Sequence, residues 1–129
     1  MNEAQSGLQS ALWMAQLLDR KGGLNITILD VRGLSTITDF YVIATGTSSK
    51  HMETLIDAPC QELKKLGFPA QHIEGNGTHW AIADFSDILL HVFDEQTRAH
   101  YDLEGLWKRA SRIEWDSRKQ TTSLKMISL

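Results

Sequence analysis

Five histidines, one cysteine, a Gly-Thr-Ser turn and a run of acids are the residues of this 129-residue chain that could do chemistry. The turn, Gly46-Thr47-Ser48, falls between a β-branched run and a helical pattern, a place where phosphate-binding turns occur. It lacks the glycine spacing and the lysine of a P-loop and is not a dinucleotide fingerprint. The simpler assignment is a hydroxyl N-cap for the helix that follows. A turn of this kind also opens the nucleotidyltransferase signature, whose chemistry then needs two carboxylates at alternate strand positions to hold Mg²⁺ ions. The next extended piece offers His72-Ile73-Glu74, one carboxylate where two are required. The catalytic metal site is read as absent.

The histidines (His51, His72, His79, His91, His100) follow no metal-ligand spacing such as H-E-x-x-H. His91 is embedded in an apolar run, which predicts a hydrogen-bonded core histidine. No G-x-S-x-G occurs to place a serine nucleophile. Cys60 stands beside Pro59 with no base in register. No catalytic, cofactor-binding or metal-binding residue is assigned, and no cofactor is expected.

The acids are concentrated. Between Glu74 and Trp107 lie seven (Glu74, Asp84, Asp87, Asp94, Glu95, Asp102, Glu104) against the single base Arg98. From Lys108 onward six bases face only Glu114 and Asp116. Acids set among Trp80, Tyr101 and Trp107 are what a surface for a basic protein partner looks like; the plainer alternative is the solvated face of a hairpin and a helix.

The elements that must position these groups follow from periodicity. Leu8, Ala11, Leu12, Ala15 and Leu18 give a helical stripe, with Ser6 as its cap, Trp13 packed beside it and Gly22-Gly23 as its stop. Asn25–Val31 and Asp39–Thr45 read as strands that pair. Ser49–Leu66 reads as a helix with Met52, Leu55, Ile56, Leu63 and Leu66 on its apolar face, and Pro59 predicts a break near Ile56–Ala58. Gln71–Glu74 is a short extended piece, and Asn76-Gly77 a turn. Trp80–Ala83 alternates, Phe85-Ser86-Asp87 turns, and Ile88–Phe93 is apolar on both faces, which together predict an antiparallel hairpin with a deeply buried second strand. Asp94 then caps a helix whose first turn holds Glu95. The sum is an α/β domain with a mixed β-sheet and helices packed against it, one domain over residues 1–115 and a polar, basic tail over 116–129.

Composition bounds the function classes. The chain is 42% hydrophobic and 22% charged with net charge −3, so phosphate neutralisation by the whole chain is a poor binding mode and no sequence-specific nucleic-acid contact is expected. One cysteine excludes an internal disulfide and any Cys-based zinc site. No apolar stretch approaches a membrane span, and residues 1–20 carry no targeting pattern, so a cytoplasmic protein without membrane contact is expected.

Three long blocks carry a resemblance. LDVRGLSTITDFYVIATGTSS (Leu29–Ser49), the HW…DFSDILLHVF block (His79–Phe93) and RAHYDLEGLW (Arg98–Trp107) agree in order and spacing with the ribosomal silencing factors, the Iojap-related family, over about Leu8 to Trp107. The chain departs from that pattern at Asn25, where the family usually has an acid, and at Pro59. The resemblance implies a nucleotidyltransferase-like fold without transferase activity. It implies binding to the large ribosomal subunit through its fourteenth protein, a basic protein at the subunit interface, so that the small subunit cannot join and translation falls under nutrient limitation. The contact residues it implies are Trp80, Asp84, Tyr101, Leu103 and Glu104, with Trp107 partly structural. Two other classes stay open from the residues alone: a residual nucleotidyl-transfer enzyme working at Gly46–Ser49, and a homodimer joined through the aromatic patch.

Overall fold

The computed structural model describes residues 3–115, so the basic tail lies outside the described residues. Helix α1 (Glu3–Arg20) is followed by strands β1 (Leu24–Asp30) and β2 (Phe40–Thr45), then helix α2 (Ser49–Lys65). Strands β3 (His72–Glu74), β4 (Trp80–Asp84) and β5 (Ile88–Phe93) come next, and then the short helices α3 (Glu95–Tyr101) and α4 (Leu103–Leu106) and strand β6 (Ser111–Ile113). The strands form one sheet in the order β3-β4-β5-β2-β1-β6. The β2–β5 pair is parallel and the other neighbours are antiparallel, which makes the sheet mixed, as the element order predicts.

The parallel pair sits at the centre because its residues are apolar on both faces. All six residues of β2 are buried, and β5 buries all but Leu89. One face of the sheet is closed by α1 and α2: Ile28, Phe40, Val42, Ala44, Ala81, Ala83, Leu90 and Val92 pack under Met14, Leu18, Leu55 and Ile56. Trp13 packs half-buried against this core. The opposite face carries Leu29, Tyr41, Ile43 and Phe93; among the described residues Leu103, Trp107 and Ala110 pack over it, with Trp80 and Leu89 at its side.

Several local expectations shift. Helix α1 begins at Glu3, so Ser6 lies inside the helix and not at its start. Helix α2 runs unbroken through Pro59, without the expected break at Ile56–Ala58. A proline in a helix costs roughly 3 kcal/mol or more through the lost backbone bond. Here the burial of Met52, Leu55, Ile56, Pro59 and Leu63 along one face holds the helix together. Leu66, assigned to that face, is the C-cap and stands 65% exposed. Asn25 has φ +49° at a register shift between Leu24 and Thr27, and asparagine is one of the few residues that enters the left-handed region readily. Strand β6 has no sequence signal; it is three residues long and extends the sheet edge by pairing Ser111–Ile113 with Ile28–Asp30.

Candidate functional site

The hairpin β4–β5 sets two alternations against each other. Ala81 and Ala83 face the helices, so Trp80, Ile82 and Asp84 face the thinly covered side, opposite Phe93, His91 and Leu89. The expected split of Trp80 and Ile82 from Ala81 and Ala83 is what the burial pattern gives.

On this side the rings form a row. Trp107 meets Tyr41 edge-on at 5.3 Å, Tyr41 meets His91 at 4.9 Å, His91 lies 5.9 Å from Trp80, and Trp80 lies 4.9 Å from Tyr101. Phe93 stacks on Trp80 at 4.7 Å. Offset and edge-on ring pairs at these spacings add about 0.5–1.5 kcal/mol each beyond area burial. The row is graded in exposure: His91 is 3% exposed, Trp80 and Trp107 are half-buried, and Tyr101 is 52% exposed. The Trp80 indole Nε1–H donates to Nδ1 of His91 at 3.0 Å, so the ring proton of neutral His91 is on Nε2. That Nε2 is buried and has no partner among the described residues. Burial pushes the His91 imidazole down to about 4, which keeps it neutral near pH 7.

The segment Glu95–Trp107 is folded over the row by its polar groups. Asp94 accepts from the Thr97 amide and caps α3 as expected; the hydrogen bonds from Thr97, with His79 nearby, hold its carboxyl below the usual range. Asp102, at φ +46°, ends α3 and caps α4 by accepting from the Gly105 amide. Arg98 is buried; it gives two hydrogen bonds to Glu104 and one each to the hydroxyls of Thr45 and Thr27. Burial opposes the charge on Glu104, but the hydrogen bonds and charge of Arg98, with Arg112 beside it, outweigh that and hold its carboxyl low.

The structure therefore sorts the six expected contact residues. Trp80 and Tyr101 lie together on the open side, whereas Asp84 is half-buried at the opposite end of β4, accepting from the Ser86 amide in the hairpin turn. Trp107 packs on Tyr41 at the far end of the row. Leu103 is 7% exposed and points into the core under Tyr41 and Phe93, so its side chain is packing and not surface. Glu104, expected to wait for a partner base, already receives hydrogen bonds on both oxygens from Arg98. Sequence reasoning passed over Arg98 as merely the one base in an acidic block; its solitary position was the available signal. It also passed over Ile82 and Leu89, half-buried apolar residues on the open side.

The Gly46-Thr47-Ser48 turn is an N-cap. Ser48 Oγ accepts from the His51 amide, and His51 Nδ1 accepts from the Thr47 amide while its other nitrogen binds the Lys21 carbonyl. Gly46 is required by close approach, since a Cβ there would lie 2.6 Å from Met52 Cγ. The depression beside the turn is lined by Asp94 and Glu95, whose charge repels a phosphate. Burial first, then Asp57, pushes the Cys60 thiol up to about 11, so it is not a nucleophile at neutral pH. Among the described residues no group of three or more His, Cys, Asp or Glu could hold a metal ion, and no helix is long and apolar enough to cross a membrane.

A small mixed α/β domain whose distinctive feature is a thinly covered aromatic face is thus the class that fold and site define. The family described as "Ribosomal silencing factor during starvation" matches residues 4–126, and this chain belongs to that family. It is 38% identical over 96 residues to a ribosomal silencing factor of Haemophilus influenzae, covering 74% of this chain and 94% of the relative. It is 30% identical over 98 residues to the mouse protein named "Mitochondrial assembly of ribosomal large subunit protein 1", covering 73% of this chain and 43% of that protein. A crystal structure of a Chromobacterium violaceum protein superposes with TM-score 0.73 at 28% identity, covering 83% of this chain and 88% of that one.

Proposed function

We propose that this chain binds the large ribosomal subunit through the subunit's fourteenth protein and, by its bulk, keeps the small subunit from joining, so that translation falls when nutrients are short. It acts in the cytoplasm, by binding and not by catalysis, as a single domain over residues 1–115. The observation that carries the proposal is the open side of the sheet, where Trp80 and Tyr101 are in contact and reach solvent. Asp102, next in the chain to Tyr101, is an exposed acid, and so are Glu74 and Glu95 in the same acidic stretch. Trp and Tyr are enriched among interaction hot spots, and a polar rim around such anchors is usual at interfaces. A contact of about 800 Å² on each partner suffices for tight binding when such anchors sit at its centre.

Trp80, Asp84 and Tyr101 make the contact in this scheme. Leu103, Glu104 and Trp107 hold the segment that presents them. The acids steer approach to a basic protein, which raises the association rate more than the affinity. The name of the mouse relative supports the choice of the large subunit.

Co-sedimentation tests the proposal. The chain should travel with purified large subunits and not with small subunits or joined ribosomes. Equal binding to joined ribosomes would overturn the steric mechanism. Raising salt should slow association more than it speeds dissociation, and the reverse would remove the steering role of the acids.

A further inference from the structure

On the strength of the docking role proposed above, we infer that His91 is a positioning residue for it: through its ring nitrogen it fixes the orientation of the Trp80 indole that a partner meets. His91 lies in the middle of the sheet, paired with Ile82 on one side and Ile43 on the other, and at 3% exposure it cannot touch a partner itself. Both of those neighbours are apolar. A phenylalanine or leucine at the same position would fill the space with no buried polar atom of its own, whereas His91 leaves Nε2 buried without a partner among the described residues. What the histidine supplies in return is one acceptor, Nδ1, directed at the Trp80 N–H.

That acceptor decides something the packing leaves open. Phe93 and Tyr101 confine the Trp80 ring by contact with its faces, but stacking is tolerant of sliding and of ring flips. The indole has a single donor, so tying it to a buried nitrogen selects one rotamer and turns the remaining apolar edge outward. Tyr41 packs edge-on against the imidazole at 4.9 Å and holds it in turn, linking the Trp107 end of the row to the Trp80 end. An anchor already in its bound rotamer loses less freedom on docking, which strengthens binding without a new contact.

The native protein gives the first test. Nitrogen NMR of His91 should show a protonated Nε2 and a bare Nδ1; the opposite tautomer excludes the hydrogen bond and overturns the inference. His91→Phe should remain folded and bind purified large subunits about tenfold more weakly, the size of one lost hydrogen bond. Its Trp80 indole N–H resonance should shift and exchange faster with water. His91→Asn, whose Oδ1 falls close to the position of Nδ1, should recover most of both signals. If His91→Phe binds as tightly as the parent chain, the positioning role is wrong. Trp80→Ala separates the two levels. Unchanged binding of Trp80→Ala removes the docking face and the positioning role together, while lost binding there with unchanged binding of His91→Phe removes the positioning role alone. Should His91→Phe fail to fold, the tautomer and the His91→Asn recovery still decide the question.

Discussion

The two faces of one sheet are finished differently. On the helix side Ile28, Phe40, Val42, Ala44, Leu90 and Val92 are fully buried beneath α1 and α2. On the other side α3, α4 and the turn to Ala110 cover Leu29, Tyr41, Ile43 and Phe93 but leave Trp80, Ile82 and Leu89 half-buried and Tyr101 exposed. The first face is closed by long apolar stripes. The second is closed by a short segment that needs polar anchors, namely the Arg98–Glu104 pair and the Asp94 and Asp102 caps. Stability concentrates on one side, and the chain can spend exposed rings on the other.

The largest effect should come from breaking the closed face. Phe40→Ala should cost about 3–5 kcal/mol, read as a lowered urea midpoint, because a fully buried ring leaves a cavity that the helices cannot fill. Loss below about 1 kcal/mol would mean that this side is not the main source of stability.

Next, Arg98→Ala should cost about 3 kcal/mol by taking both hydrogen-bonded donors from the half-buried Glu104 and leaving it only the longer, more exposed contact with Arg112. Arg98→Ala combined with Glu104→Gln should cost less than the two changes summed; strict additivity would show that the pair does not couple.

Trp80→Ala sharpens the contrast between the faces. Large-subunit binding should fall by about 30-fold or more, as for a central anchor, while the unfolding midpoint moves far less than in Phe40→Ala. The reverse pattern would make Trp80 a core residue.

The smallest effect is a pH slope. His91 stays neutral in the folded protein down to about 4, whereas in the unfolded chain it takes a proton near its ordinary 6.5. Between those values the unfolded state binds more protons, so stability is complete above about 6.5 and falls as the pH drops toward 4. By pH 5 the loss should reach about 1–2 kcal/mol in urea titrations, and His91→Phe should flatten it. A slope unchanged in His91→Phe would assign it to another group.

Much of this was legible in the chain. Apolar runs at β-strand length marked β2 and β5, alternation in Trp80–Ala83 marked which residues leave the core, and Asp94 and a hydroxyl of the turn before α2, which the structure shows to be Ser48, announced their helices as caps. The acidic and aromatic composition of residues 74–107 singled out that stretch, but left a partner surface and a solvated face as alternatives. Misplacements share a cause. The resemblance implied Leu103 and Glu104 as contacts, and nothing local corrects that, because an apolar and an acidic residue beside exposed aromatics look alike whether they point out or in. Pro59 read as a break because local backbone chemistry says so, and burial of its helix face overrode it.

Sequence alone determined the elements from α1 to α3, the family blocks and the charge of residues 74–107, since periodicity, caps and composition are local properties of the chain. Only the tertiary structure decided which side of the sheet stays thinly covered, that Arg98 reaches across 53 residues of chain to Thr45 and 71 to Thr27, and that His91 sits beneath Trp80. Those are contacts between segments far apart in the chain, and their geometry follows from strand order and register, which no single stretch of residues encodes.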